Sequence, residues 1–115
     1  MSLSSHVLDS MLGTPAIGVP VRWERLVAEA WKQVGKSVTD DDGRVDRWVT
    51  ERGVAESTGI GVHRLVFGSG DYFVARGVTT FYPEVVVVFE VVDEAAHHHV
   101  PLLLSPFAYS TYRGS

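Results

Sequence analysis

His97-His98-His99-Val100-Pro101-Leu102-Leu103-Leu104-Ser105-Pro106 decides how this chain folds. Side chains on an extended segment alternate between two faces, so His97 and His99 point one way and His98 the other. An apolar run follows the histidines, and Ser105-Pro106 is a turn signal that separates it from a last predicted strand, Phe107 to Tyr112. Upstream, Tyr82-Pro83-Glu84-Val85-Val86-Val87-Val88-Phe89-Glu90-Val91-Val92 is dominated by β-branched residues and stops at Asp93-Glu94, making it the strongest strand signal of the chain. Val85, Val87, Phe89 and Val91 form its better core face. Val86 and Val88 share the other face with Glu84 and Glu90, a mixed surface suited to partial cover.

Further out, Ile60 to Phe67 predicts a strand with His63, Leu65 and Phe67 on one face, and Asp71 to Arg76 predicts the one short helix, closed by Gly77. Trp31 to Thr39 predicts another strand, ending where Asp40-Asp41-Asp42-Gly43 concentrates turn-forming residues just before Arg44. Thr50 to Thr58 is polar and predicts a loop. In Ile17 to Glu24 the odd positions are apolar, the period of a half-buried strand, and Pro20 predicts an edge position or a bulge because proline removes a ladder donor. His6 to Ser10 predicts a short strand, joined through Gly13-Thr14-Pro15 to the next in a hairpin-like unit. Seven or eight short strands separated by turns predict an all-β sandwich.

The 115 residues suit one domain, which at this length buries enough surface for a core without staples. The chain has no cysteine, so disulfides and thiolate metal sites are excluded. A net charge of −4 with scattered Lys and Arg offers no basic stripe for nucleic acid. The N-terminus lacks the pattern of a signal peptide and no stretch is long enough to span a membrane, so the expected location is cytoplasmic.

Histidine is the natural place to look for chemistry, because one imidazole can act as base and then acid near neutral pH. His63 reads as a core or network residue. His97, His98 and His99 cannot act as one cluster, and with no cysteine or acidic partner at motif spacing a metal site is disfavoured. His6 alone in its strand would ordinarily be a surface residue, Arg44 a solvated partner of Asp40 to Asp42, and Tyr112 to Ser115 a frayed end. Composition and periodicity leave an all-β domain with unassigned histidines.

A set of motifs in order along nearly the whole chain adds to this. His6-Val7-Leu8-Asp9, Gly13-Thr14-Pro15-Ala16, Asp42-Gly43-Arg44, Asp71-Tyr72-Phe73, Phe81-Tyr82-Pro83, the His97 to Pro106 stretch and the closing Tyr109-Ser110-Thr111-Tyr112-Arg113-Gly114-Ser115 resemble the 5-hydroxyisourate hydrolases, the transthyretin-related enzymes of purine catabolism. The terminal Tyr-Arg-Gly-Ser after a His-x-His-Val-Pro strand is the most specific of these. The resemblance implies a transthyretin-like β-sandwich and a homotetramer, a dimer of dimers with its active sites in a channel. It implies catalytic roles for His6, Arg44 and His99, and substrate-binding roles within the tail for Tyr112, Arg113 and Ser115. It implies metal-free hydrolysis of 5-hydroxyisourate, without a cofactor, to 2-oxo-4-hydroxy-4-carboxy-5-ureidoimidazoline on the way to allantoin. If His99 faces the channel, parity puts Pro101 and Leu103 beside it and Val100, Leu102 and Leu104 in the core; likewise His6, Leu8 and Ser10 share a face. The chain departs from the family at His98, where an aromatic such as tyrosine is common, and Arg47 to Thr58 matches no family pattern. The competing expectation is a carrier of a small aromatic ligand like transthyretin, which lacks the two channel histidines and the Tyr-Arg-Gly-Ser end; a plain interaction sandwich would leave the histidines unexplained.

Overall fold

The computed structural model describes residues 2–50 and 59–115. The predicted 50–58 loop lies outside the described residues except for Thr50, which ends a short strand. Ten strands and one helix are present among the described residues: β1 Ser2–Asp9, β2 Thr14–Pro15, β3 Pro20–Val27, β4 Ala30–Val38, β5 Arg44–Val45, β6 Val49–Thr50, β7 Gly61–Phe67, α1 Ser69–Val74, β8 Val85–Val91, β9 His97–Leu104 and β10 Tyr109–Thr111. They form two five-stranded sheets. One has the order β10-β9-β1-β2 with β5 also paired to β1, and the other the order β6-β4-β3-β7-β8.

The predicted sandwich is therefore present, but the first two predicted strands do not form a hairpin. β1 lies in one sheet and β3 in the other; β1 pairs instead with β2, β5 and, in parallel, with β9. The period-2 pattern showed which face of each strand is buried and could not show which strands are neighbours. Pro20 likewise does not mark an edge: β3 sits between β4 and β7, and the proline is tolerated as the first residue of the strand. The register shift of the β3–β4 pair falls further on, between Trp23 and Glu24.

Alternation assigns most of the core as expected, except that Pro101 of β9 and Val66 of β7 are buried as well, although parity turns them to the opposite faces. Leu3, Ser5, Val7 and Asp9 of β1 face inward, as do Val100, Leu102 and Leu104 of β9, against Val21 and Trp23 of β3 and Leu65 and Phe67 of β7. Val85, Val87 and Val91 of β8 are buried while Val86 and Val88 are exposed. The polar residues on inward faces are bonded, as burial demands. Ser5 Oγ donates to the Val100 carbonyl, and Asp9 accepts from the Tyr72 hydroxyl at 2.7 Å and from the Met11 and Leu12 amides. Burial, and then that carboxylate, push the Tyr72 pKa up to about 12, and the Tyr72–Asp9 bond ties α1 to β1.

Candidate active site

The chemistry-bearing residues converge on the outward face of the β9–β1 sheet. Parallel pairing sets Ser2 opposite His97, Ser4 opposite His99 and His6 opposite Pro101, while antiparallel pairing sets His6 opposite Arg44. Because odd residues of β1 are turned into the core, Ser4 and His6 must face out, and the same parity turns out His97 and His99 on β9. His6, Arg44 and His99 thus share one surface although the two histidines lie 93 positions apart in the sequence.

Arg44 is delivered by the acidic turn. Asp40 Oδ1 accepts from the backbone amides of Asp42 and Arg44, both at 2.9 Å, and these bonds and the nearby cations hold its carboxyl below the ordinary value, the Arg44 amide contributing most. Gly43 has φ +73°, and a Cβ there would come within 2.4 Å of the Val7 carbonyl, so only glycine lets the turn press against β1. Asp40 therefore organises the backbone of the turn. The Arg44 guanidinium is exposed and enters no ion pair among the described residues, so its charge is available to a ligand.

The histidines are prepared differently. His6 Nε2–H donates to the Asp42 carbonyl at 2.8 Å; a carbonyl can only accept, so the proton sits on Nε2 and Nδ1 carries the free lone pair. His99 is half-buried, and its Nδ1 lies 2.7 Å from Ser4 Oγ. Burial, then the charges of Arg44, His97 and His6, push the His99 pKa below the ordinary histidine value, while a hydrogen bond with the Ser4 backbone acts the other way. A histidine so placed is neutral, and able to accept a proton, over a wider pH range than a free imidazole.

The tail is fastened to this face. The Gly114 amide donates to the His99 carbonyl at 2.9 Å, and a Cβ on Gly114 would stand 2.4 Å from His99 Cδ2, so the imidazole packs against a position where no side chain fits. Tyr112 and Arg113 border a cleft of about 330 Å³ with His98, His99, Phe89 and Glu90, within the size range of small-molecule sites. Among the described residues no hydrogen bond joins the side chains of Tyr112, Arg113 or Ser115 to His6, Arg44 or His99. The structure thus brings His6, Arg44 and His99 together, sets Tyr112 and Arg113 on the β8 side of His99, and leaves Ser115 exposed beyond Gly114.

The other two histidines stay apart. His98 is buried on the inward face, and His63 is fully buried between Trp23 and Phe89. Ser4 is the contributor that sequence reasoning passed over, and Gly114 entered it only as part of the Tyr-Arg-Gly-Ser end, without a packing role. The predicted first strand began at His6 and left Ser4 out, and only the parallel β1–β9 pairing shows that Ser4 shares the His6 face and meets His99.

Comparison with known proteins places the chain among relatives of the same fold. The family model described as Transthyretin: HIUase/Transthyretin family matches residues 3–114. A probable 5-hydroxyisourate hydrolase of Caenorhabditis elegans is 45% identical over 99% of this chain and 81% of its own length. The 5-hydroxyisourate hydrolase of Mus musculus is 42% identical over 98% of this chain and 94% of its own. Among solved structures, Klebsiella pneumoniae 5-hydroxyisourate hydrolase superposes with a TM-score of 0.83 at 30% identity, all of both chains being covered. Sea bream transthyretin in complex with thyroxine superposes with a TM-score of 0.88 at 32% identity, over 99% of this chain and 95% of that one. Backbone likeness alone does not separate an enzyme from a carrier; the side chains on the β9–β1 face must do so.

Proposed function

The chain belongs to the HIUase/Transthyretin family, and from that premise we propose that it hydrolyses 5-hydroxyisourate through the face that carries His6, Arg44 and His99. The observation that carries this reading is their convergence: two imidazoles, one with Nδ1 and the other with Nε2 unbonded among the described residues, beside a guanidinium that enters no ion pair among them, on a sheet face that a carrier would need only to shape and not to charge. The reaction is the metal-free opening of a cyclic amide by water. The product is 2-oxo-4-hydroxy-4-carboxy-5-ureidoimidazoline, a step in the degradation of urate to allantoin.

In the mechanism, His6 and His99 hold the attacking water and take its proton, work that typically supplies ~10²–10⁴-fold in rate. Addition to the amide carbon turns the carbonyl into an oxyanion. Arg44, charged at every working pH, binds the urate-like ring and stabilises that oxyanion. Collapse of the adduct breaks the ring C–N bond, and the proton held by imidazole passes to the leaving nitrogen. Tyr112 and Ser115 orient substrate, and Arg113 anchors the tail. Residues 1–115 act as one domain, assembled into a homotetramer in which two dimers face each other across a channel. The exposed Val86 and Val88 of β8 and the exposed β10 edge support such pairing, since uncovered edge strands offer unpaired backbone groups.

Generating 5-hydroxyisourate from urate with a uricase and following its ultraviolet absorbance with and without the protein tests the reading. Accelerated decay that disappears in a chain ending at Thr111, with the fold retained, supports it. Decay at the spontaneous rate, with saturable binding of a small aromatic ligand, would establish a carrier like transthyretin instead.

A further inference from the structure

His99 is joined to the protein surface by a chain of hydrogen bonds that the mechanism above does not use. Ser4 Oγ lies 2.7 Å from His99 Nδ1 and 2.9 Å from His97 Nε2, and Ser2 Oγ bonds the remaining ring nitrogen of His97, Nδ1. A serine hydroxyl has one proton to give and two lone pairs, so its single donation can go to only one of the two imidazoles. The choice matters. If Ser4 donates to His99, the proton of neutral His99 is forced onto Nε2 and the ring has no basic nitrogen left for water. If Ser4 accepts from His99, the proton is held on Nδ1 and the Nε2 lone pair is free. Nε2 is the atom left for substrate: among the described residues nothing bonds it, while Gly114 packs against the neighbouring Cδ2.

The geometry points to Ser4 and His97 as positioning residues that set the tautomer of His99: His99 Nδ1–H donates to Ser4, Ser4 donates to His97 Nε2, and His97 Nδ1–H donates to Ser2. This inference rests on the proposed hydrolysis and adds two residues to it. In the reaction, water's proton goes to His99 Nε2 and later returns from Nε2 to the leaving nitrogen, while the Nδ1 proton stays on the Ser4 bond throughout, so the chain neither gains nor loses a proton. The same hydrogen bond favours the imidazolium that forms in between, as any acceptor on Nδ1–H does. His97, towards the outer end of the chain, is exposed, and the charged and titratable groups around His99 are Arg44 of β5, His6 of β1, His97 and His98 of its own strand, and Glu90, Tyr112 and Arg113, which border the cleft it lines.

The test uses the full chain with 15N-labelled histidine and reads the tautomer of His99 at pH 7.5 from two-bond proton–nitrogen correlations, assigned against His99→Gln. Wild-type protein is expected to show the Nδ1–H form. Ser4→Ala is expected to shift it towards Nε2–H and to lower kcat roughly 10-fold or more with KM little changed, since a mis-set tautomer removes the base and leaves binding intact. Ser4→Thr, which keeps the hydroxyl, is expected to restore the tautomer and most of kcat. His97→Phe, at an exposed position, is expected to shift the tautomer in the same direction as Ser4→Ala. An Nε2–H signal in the wild type, or a Ser4→Ala protein with unchanged tautomer and kcat, would overturn the inference. If wild-type protein does not accelerate hydrolysis, the proposed function fails by itself, and the tautomer signals still decide the role of Ser4.

Discussion

His63 and His99 are both pushed below the ordinary histidine pKa, chiefly by burial, yet only one of them is built for chemistry. His63 uses both ring nitrogens. Nδ1 accepts from Trp23 Nε1–H at 3.0 Å, Nε2–H donates to the Gly59 carbonyl at 2.9 Å, and the ring stacks on Phe89. His99 spends only Nδ1, on Ser4, and faces a cation in Arg44. A depressed pKa marks burial in both cases; an open ring nitrogen beside a stabilising charge is what separates a candidate base from a core strut.

Truncating each ring separates the two histidines most strongly. His99→Ala should lower kcat/KM for 5-hydroxyisourate by ~10²–10⁴-fold in the coupled absorbance assay, with little change in melting temperature. His63→Ala should do the reverse. It leaves a cavity and strands the Trp23 N–H, costing about 3 kcal/mol in urea unfolding, while the folded fraction keeps its specific activity. Equal losses of activity in both variants would refute the distinction.

Next, Arg44→Ala removes the cation without touching the turn, because Asp40 holds the backbone amide of Arg44 and not its guanidinium. The expected loss is ~10²–10³-fold in kcat, with an unchanged unfolding midpoint. Gly114→Ala should cost up to ~10²-fold, since the added methyl must displace either the His99 ring or the tail, and a shift of about 1 Å in a reacting group is enough for that. A crystal structure of the variant with both groups unmoved and activity retained would count against the role given to the tail.

The smallest effect is the pH dependence of stability. With a folded-state pKa below the ordinary value, His63 binds fewer protons folded than unfolded between the two values, so stability rises with pH there. Its contribution is complete above about pH 6.5 and is lost as pH falls towards the folded-state value. His63→Phe should therefore show a shallower fall in melting temperature between pH 7.5 and 5.5 than the wild type, although it is less stable throughout because Trp23 loses its acceptor. For activity, the acid limb set by His99 should lie below the range of a free imidazole.

Much of the fold was legible because alternation is a local property. The buried faces of β7, β8 and β9 followed from the pattern of apolar residues, and the acidic turn before Arg44 followed from residues that bond their own backbone. Strand partnership was not legible. The β1–β9 parallel pair joins residues more than ninety positions apart, and nothing in either segment names the other. The same blindness produced the mistaken first hairpin and hid Ser4 as the partner of His99.

By itself the sequence determined the class of fold, the split of the histidines between two faces, and, through its motifs, the family and the residues to suspect. Tertiary structure alone decided which of those residues meet, which ring nitrogens are spent, and how the glycine of the tail seats against His99. The physical reason is that side-chain direction depends on the neighbouring backbone, whereas a site made of β1, β5, β9 and the C-terminal tail exists only once hydrogen bonds between distant strands have set their register.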